Sequence, residues 1–220
     1  MKTVAFIPIK MNNERVPGKN VKPFSDGTPL IHMIMNAVMG AEEVDEVYVC
    51  CSNERIKEFM LPGTKFLKRD VKYDASNANV NEMHLSFAQA VDADIYLLAH
   101  ATSPFLSSAS IDEGIKAIKT GKYDSALTVM KLQDFMWKNG KPFNFSLEHI
   151  PRTQDLEPFY LETTGMFAFT RDVIYNKKSR TGDKPYMIEV NSIEAIDIDW
   201  PIDFDIADAV YMQIIKRQTK

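Results

Sequence analysis

The sequence predicts an α/β protein built on a doubly wound, mostly parallel sheet, and three observations carry that expectation. Residues 4–9, Val-Ala-Phe-Ile-Pro-Ile, are an apolar run rich in β-branched side chains with no charge between Lys2 and Lys10, so they read as a strand buried on both faces. From there to Met130, runs of strand length alternate with segments of helical period, the order that builds parallel units with right-handed crossovers. At 220 residues, 45% hydrophobic and 25% charged, the chain can bury one core, and 1–220 is expected to be a single domain.

The elements follow in order. Residues 29–39 place apolar side chains at 30, 31, 34, 35 and 38, one face of a helix, with Gly40 as its stop. Residues 46–51 read as the second strand, 53–60 as a short helix capped by Ser52 or Asn53, and 64–67 as a third strand. A helix over 80–91 carries Met83, Phe87, Ala88 and Val91 on one side; a strand over 94–99, a helix over 111–119 and a strand over 124–130 come next. Around Phe135 the pattern changes, and Asn139-Gly140 between aromatic residues signals a β-hairpin within an excursion over 133–160. Trp137 and Phe143 there either form an interface or cap the domain's own core. A helix over 201–215 closes the chain. Cys50 and Cys51, adjacent in a strand, point to opposite faces and read as buried thiols.

Charge narrows the function. A net charge of −4 and a pI near 5.6 speak against a nucleic-acid partner. No run of 18 apolar residues occurs and the amino terminus lacks the pattern of a secretory signal, so the expectation is a cytoplasmic protein with no membrane span.

Where the first strand ends, Lys10, Arg15 and Lys19 face only Glu14, in a loop broken by Pro17-Gly18. Ligands of open α/β sheets bind at the carboxyl edge, so these cations either hold a polyphosphate or are simply solvated. A Walker A loop is excluded, because Asn13 and Asn20 stand where Gly and Ser or Thr would be needed; no G-x-G-x-x-G occurs either. Near the other end, Asp197 and Asp199 share one side of an extended segment, an arrangement that suits Mg²⁺ shared with phosphate oxygens or, alternatively, turn and cap roles before Pro201. Asp203 reads as a first-turn helix acid.

The stretch from Ile7 to Asn20 resembles the opening signature of the acylneuraminate cytidylyltransferases, I-P-A-R-G-G-S-K-R-I-P-G-K-N, through Ile7, Pro8, Arg15, Pro17, Gly18, Lys19 and Asn20. Thr102, Ser103 and Pro104 match that family's Q-P-T-S-P-L, with His100 at its Gln; Arg152-Thr153-Gln154-Asp155-Leu156 is similar to R-R-Q-D-L; and Ile196 to Phe204 resembles I-D-I-D-T-P-E-D-F. Arg69 to Asp74 is loosely similar to R-P-x-x-L-A-x-D, with a solvated loop as the alternative. The resemblance implies a three-layer α/β/α Rossmann-like nucleotidyltransferase fold and a CTP-dependent enzyme that makes the CMP derivative of a sugar acid with release of pyrophosphate. It implies Lys10, Arg15 and Lys19 as catalytic cations, and Ile9, Asn13, Asn20, Arg69 and Thr102 beside them on the nucleotide. His100, Ser103, Arg152 and Gln154 fall to the acidic sugar acceptor, Asp197 and Asp199 to Mg²⁺, and the hairpin to a homodimer. Departures are visible: Lys10 keeps a charge but not a guanidinium fork, Met11-Asn12 replaces a Gly pair, and Thr164 and Ala168 replace Asn and Tyr of N-G-A-I-Y. The last two fall on the acceptor side, so another acceptor (an octulosonic acid or a phosphonate) and a catalytically silent nucleotide-binding protein stand as rival readings.

Overall fold

The computed structural model describes residues 1–218. In chain order its elements are β1 (Thr3–Ile9), α1 (Leu30–Met39), β2 (Glu46–Cys51), β3 (Lys65–Lys68), α2 (Val80–Ala90), β4 (Ile95–Ala99), α3 (Ser108–Lys119), β5 (Ser125–Leu132), the hairpin strands β6 (Trp137–Lys138) and β7 (Lys141–Pro142), β8 (Phe159–Thr170), β9 (Pro185–Glu189) and α4 (Pro201–Val210). The main sheet runs β3-β2-β1-β4-β8-β5-β9. Every neighbouring pair is parallel except those of β8, which lies antiparallel between β4 and β5.

Helices cover both faces, which is why the central strands β1 and β4 are buried almost end to end. Ala5, Ile7 and Ile9 of β1 pack with Ile31 and Ile34 of α1 and Ile111 and Ile115 of α3. Val4 and Phe6 turn the other way, onto Phe87 and Ala88 of α2 and the π-helical turn Val173–Lys177. Cys50 and Cys51 divide between these two layers as buried free thiols, and burial pushes the Cys50 thiol up to about 12.

Several elements depart from expectation for local reasons. The segment after β2 is a 3₁₀ helix, Glu54–Phe59, with Asn53 as its cap, accepting from Arg55 N at 3.0 Å. Helix α3 begins three residues earlier than its apolar pattern, at Ser108, because Ser107 rather than a later serine caps it, accepting from Ser110 N at 3.1 Å. Strand β9, an edge strand starting on a proline, carries no clear alternation and was not foreseen. The Asn-Gly hairpin forms as expected, since Asn139 (φ 52°) and Gly140 (φ 74°) both take the left-handed conformation a tight two-residue turn requires.

A third cluster fixes the end of the chain. Phe24, Phe105, Ile198, Phe204 and Tyr211 are buried together, with Phe24 stacked at 5.4 Å on Phe204 and 4.7 Å on Tyr211. Helix α4 widens into a π-helical turn at Tyr211–Ile215, and Tyr211 Oη donates to Asp26 Oδ2 at 3.0 Å. The C-terminal helix is thereby fastened to the turn that follows the β1 loop.

Candidate active site

The loop after β1 folds back on itself. Asn20 Nδ2 donates to the Lys10 carbonyl at 2.8 Å, and Gly18, at φ 66°, turns the chain into the short helix Lys19–Val21 that buries Lys19 and Asn20. Lys10, Asn13, Arg15 and Lys19 consequently line one cleft of about 370 Å³, with Lys10 Nζ 4.0 Å from Glu14. Asn13 Oδ1 is buried there without a donor.

Against this loop lies the acid segment. It is not the sheet strand expected: Ile198 N donates to the Thr102 carbonyl at 2.8 Å, and the Ile198 side chain is fully buried. Burying that side chain contributes about 1.5–3 kcal/mol toward holding the segment in place. Asp199 Oδ1 sits 2.8 Å from Arg15 Nη2 and 3.7 Å from Lys19 Nζ, which also donates to the Ile198 carbonyl at 2.5 Å. Burial pushes the Lys19 ammonium down, with Arg15 adding to that, while Asp199 and Asp197 pull it up. Both acids therefore act on one cation. Asp197 Oδ1 is buried with no donor, and among the described residues no three His, Cys, Asp or Glu side chains converge as a cation cage. Asp203 takes the helix role expected of it, accepting from Asp199 N at 2.9 Å and Trp200 N at 2.7 Å.

At the end of β4, His100 Nδ1 lies 2.6 Å from the Thr164 carbonyl, and Ser103 Oγ 3.4 Å from Thr164 Oγ1. A carbonyl only accepts, so Nδ1 carries the proton and the neutral ring keeps Nε2 as an acceptor. Burial is the main force lowering the His100 pKa, so the ring stays neutral.

Arg69 is not a solvated loop residue. Its side chain is 9% exposed, donates to the Ile9 carbonyl at 3.1 Å and pairs with Asp74, which in turn holds Ser52; its Nε has no partner. Arg152 and Gln154 are not joined to the cluster. They lie on or beside the exposed turn Thr153–Asp155, where Arg152 forks onto Asp155 at 2.8 and 2.9 Å, the ion-pair alternative to a substrate contact. Two residues beside the site were not singled out from sequence. Trp200 lies under Arg15 at 5.5 Å, and Arg180 over the Phe167 ring at 3.8 Å. Trp200 follows directly on the acid pair, a position that signals it; Arg180 sits in an irregular loop with no spacing to mark it.

Residues 4–219 match the family model described as Cytidylyltransferase. The chain belongs to the cytidylyltransferase family. Within it, N-acylneuraminate cytidylyltransferase A of Danio rerio is 27% identical over 215 residues, 93% of this chain and 49% of the relative, so the chain spans about half that protein's length. The CMP-N,N'-diacetyllegionaminic acid synthase of Legionella pneumophila is 27% identical over 223 residues, 94% of this chain and 95% of the relative. Among solved structures, a CMP:2-keto-3-deoxy-manno-octonic acid synthetase complexed with CTP superposes with a TM-score of 0.74 at 16% identity, covering 97% of this chain and 99% of that one. A 4-diphosphocytidyl-2C-methyl-D-erythritol synthase from Anaerococcus prevotii gives 0.69 at 14% identity, over 96% of both. These two likenesses bear on the fold, which is that of the nucleotidyltransferases.

Proposed function

We propose that this chain transfers a cytidylyl group from CTP to a sugar acid of the sialic-acid type, a nonulosonic acid, with release of pyrophosphate. The observation that carries the reading is the convergence of Arg15 and Lys19 on Asp199 at the carboxyl end of β1, in a member of the cytidylyltransferase family. Relatives named for N-acylneuraminate and diacetyllegionaminic acid support an acid acceptor of this class, and others named for 3-deoxy-manno-octulosonate set the neighbouring alternative.

In this reading the triphosphate lies over the end of β1. Lys10, Arg15 and Lys19 neutralise its phosphates, while Ile9, Asn13, Asn20, Arg69 and Thr102 border the nucleotide. An acceptor hydroxyl oxygen attacks the α-phosphorus as the bond to the bridging β-oxygen breaks, and the cations offset charge gathering on the departing pyrophosphate. Positioning and electrostatics supply most of the rate, so the chain need not provide a strong base; the proton passes to solvent. His100 Nε2 and Ser103 offer hydrogen bonds to the acceptor, and Arg152 and Gln154 border it from the exposed turn Thr153–Asp155.

Asp197 and Asp199 would hold Mg²⁺, which when bound supplies Lewis-acid neutralisation of phosphate oxygens. The residues fit: Asp197 Oδ1 is a buried oxygen with no donor, and two carboxylates leave the remaining positions to the waters and phosphates that Mg²⁺ retains. Asp199 would exchange Arg15 for the metal, freeing the guanidinium for phosphate.

A homodimer through the 133–160 excursion is part of the proposal. Trp137 (58% exposed) and Phe143 (50%) pack onto Phe145 and Phe159 yet leave half of their surface open. The unpaired thiols of Cys50 and Cys51 fit a reducing compartment such as the cytoplasm.

The test is pyrophosphate release from each nucleoside triphosphate against a panel of sialic, legionaminic, octulosonic and phosphonic acids. Release that requires both CTP and a nonulosonic acid is expected. Tight CTP binding with no release from any acid would favour a silent nucleotide-binding protein.

A further inference from the structure

Beyond the cluster around Lys19 lies a second, open cavity of about 480 Å³, whose mostly polar lining includes Asn79, Val80, Asn81, Glu162, Ser179 and Arg180. Its size is in the range of small-molecule sites. Arg180 lies at its edge with two partners. The guanidinium carbon sits 3.8 Å from the centroid of the Phe167 ring, which is fully buried, and Nη2 pairs with Glu162 Oε1 at 2.9 Å. A guanidinium laid on an aromatic face keeps its N–H fork preorganised for a planar carboxylate.

One stretch of chain borders both this cavity and the cleft of Lys10, Arg15 and Lys19. Ser76 lines the cleft of Lys10, Arg15 and Lys19, and Asn79, three residues along the same loop, lines the second cavity. Phe167 also meets the His100 ring edge-on at 6.3 Å, and that imidazole feels the charges of Arg180, Asp197 and Lys19 together. His100 is thus within electrostatic reach of both Lys19 of the cleft and Arg180 of the cavity.

We propose that Arg180 is the specificity-determining residue that grips the carboxylate of the acceptor acid, with Glu162 holding its fork until the acid displaces it. The proposal rests on the cytidylyl-transfer reading and supplies the acceptor contact. Arg152, by contrast, is 71% exposed and forks onto its own neighbour Asp155. Glu162 is half exposed, so its pair with Arg180 is the exchangeable kind.

Arg180→Gln, Glu162→Gln and Arg152→Gln are compared with the unaltered chain by pyrophosphate release and by calorimetric titration, using N-acetylneuraminate and 3-deoxy-manno-octulosonate as probes. Arg180→Gln is expected to raise KM or Kd for the better acid by about tenfold or more, the scale of a lost charge-assisted pair, with KM for CTP and the melting midpoint unchanged. Glu162→Gln should leave acid binding equal or tighter. An acid KM within twofold in Arg180→Gln, an equal weakening in Glu162→Gln (the mark of a structural tether), or a loss confined to Arg152→Gln overturns the assignment and leaves cytidylyl transfer standing. Direct acid titration decides even without turnover: binding that Arg180→Gln alone abolishes supports the assignment, and neither probe binding the unaltered chain overturns it. Failure of CTP itself to bind would instead strike the parent reading.

Discussion

Lys19 Nζ donates to the carbonyl oxygen of Ile198 at 2.5 Å, joining positions 179 residues apart in sequence. That bond sets the loop after the first strand against the acids near the end of the chain. Its loss has two separable consequences.

Lys19→Met keeps the side chain's bulk but removes its charge. Turnover should fall by about 10²-fold or more, as for the loss of a preorganised charge at a reacting phosphate, while far-ultraviolet circular dichroism stays that of the parent. The bare Ile198 carbonyl should cost about 1–3 kcal/mol, read as a lowered melting midpoint. Undiminished turnover would remove Lys19 from the site.

Asp199→Asn releases Arg15 from its 2.8 Å contact and weakens the acid pair. The Mg²⁺ concentration giving half-maximal rate should rise by about tenfold. A metal profile identical to the parent's would count against Asp199 as a ligand.

His84 is buried against Phe6 and Phe169, and both of its ring nitrogens lack partners. Burial, with the Arg180 charge and the neighbouring His100 imidazole adding to it, lowers its pKa from 6.5 to about 3. Between those values the unfolded chain takes up a proton that the folded chain refuses. Its contribution is therefore complete above pH 6.5 and drains away as pH falls toward 3, by up to about 1.4 kcal/mol per pH unit. His84→Leu should flatten the stability profile in that window, as measured by urea unfolding across the pH range. A parent-like slope would contradict a neutral buried imidazole.

Trp137→Asp places a charge in the exposed aromatic group of the hairpin. Sedimentation should show the proposed homodimer giving way to monomer with the melting midpoint of the domain little changed. A parent already monomeric at high concentration would dispose of the interface.

Much of the fold was legible because its signals are local. Buried parallel strands are apolar end to end, so β1, β2 and β4 stood out, and the five apolar positions of α1 are its five buried ones. Asn139-Gly140 fixed the hairpin because few other pairs accept two positive φ angles. The first turn of α3 was hidden, since serines favour caps and turns as readily as helix. In the site, the cations after β1 and the acids near the end were readable from strand-edge logic and from family resemblance. Their contact depends on Ile198 and Thr102, whose backbone bond no spacing encodes. Arg180 was invisible for the same reason, because the position of this loop residue depends on the Phe167 ring beneath it, contributed by strand β8.

Ile198, the residue between the two acids, shares its packing with Phe24, Phe204 and Tyr211. The acids and the terminal helix therefore belong to one cooperative unit, and transient detachment of α4 would loosen the acids at the same moment. Amide protons along that helix should exchange more slowly once the cleft is filled, so nucleotide occupancy becomes readable by isotope labelling at the far end of the polypeptide. Trimming the helix, conversely, would blunt catalysis without removing a single residue that meets the substrate.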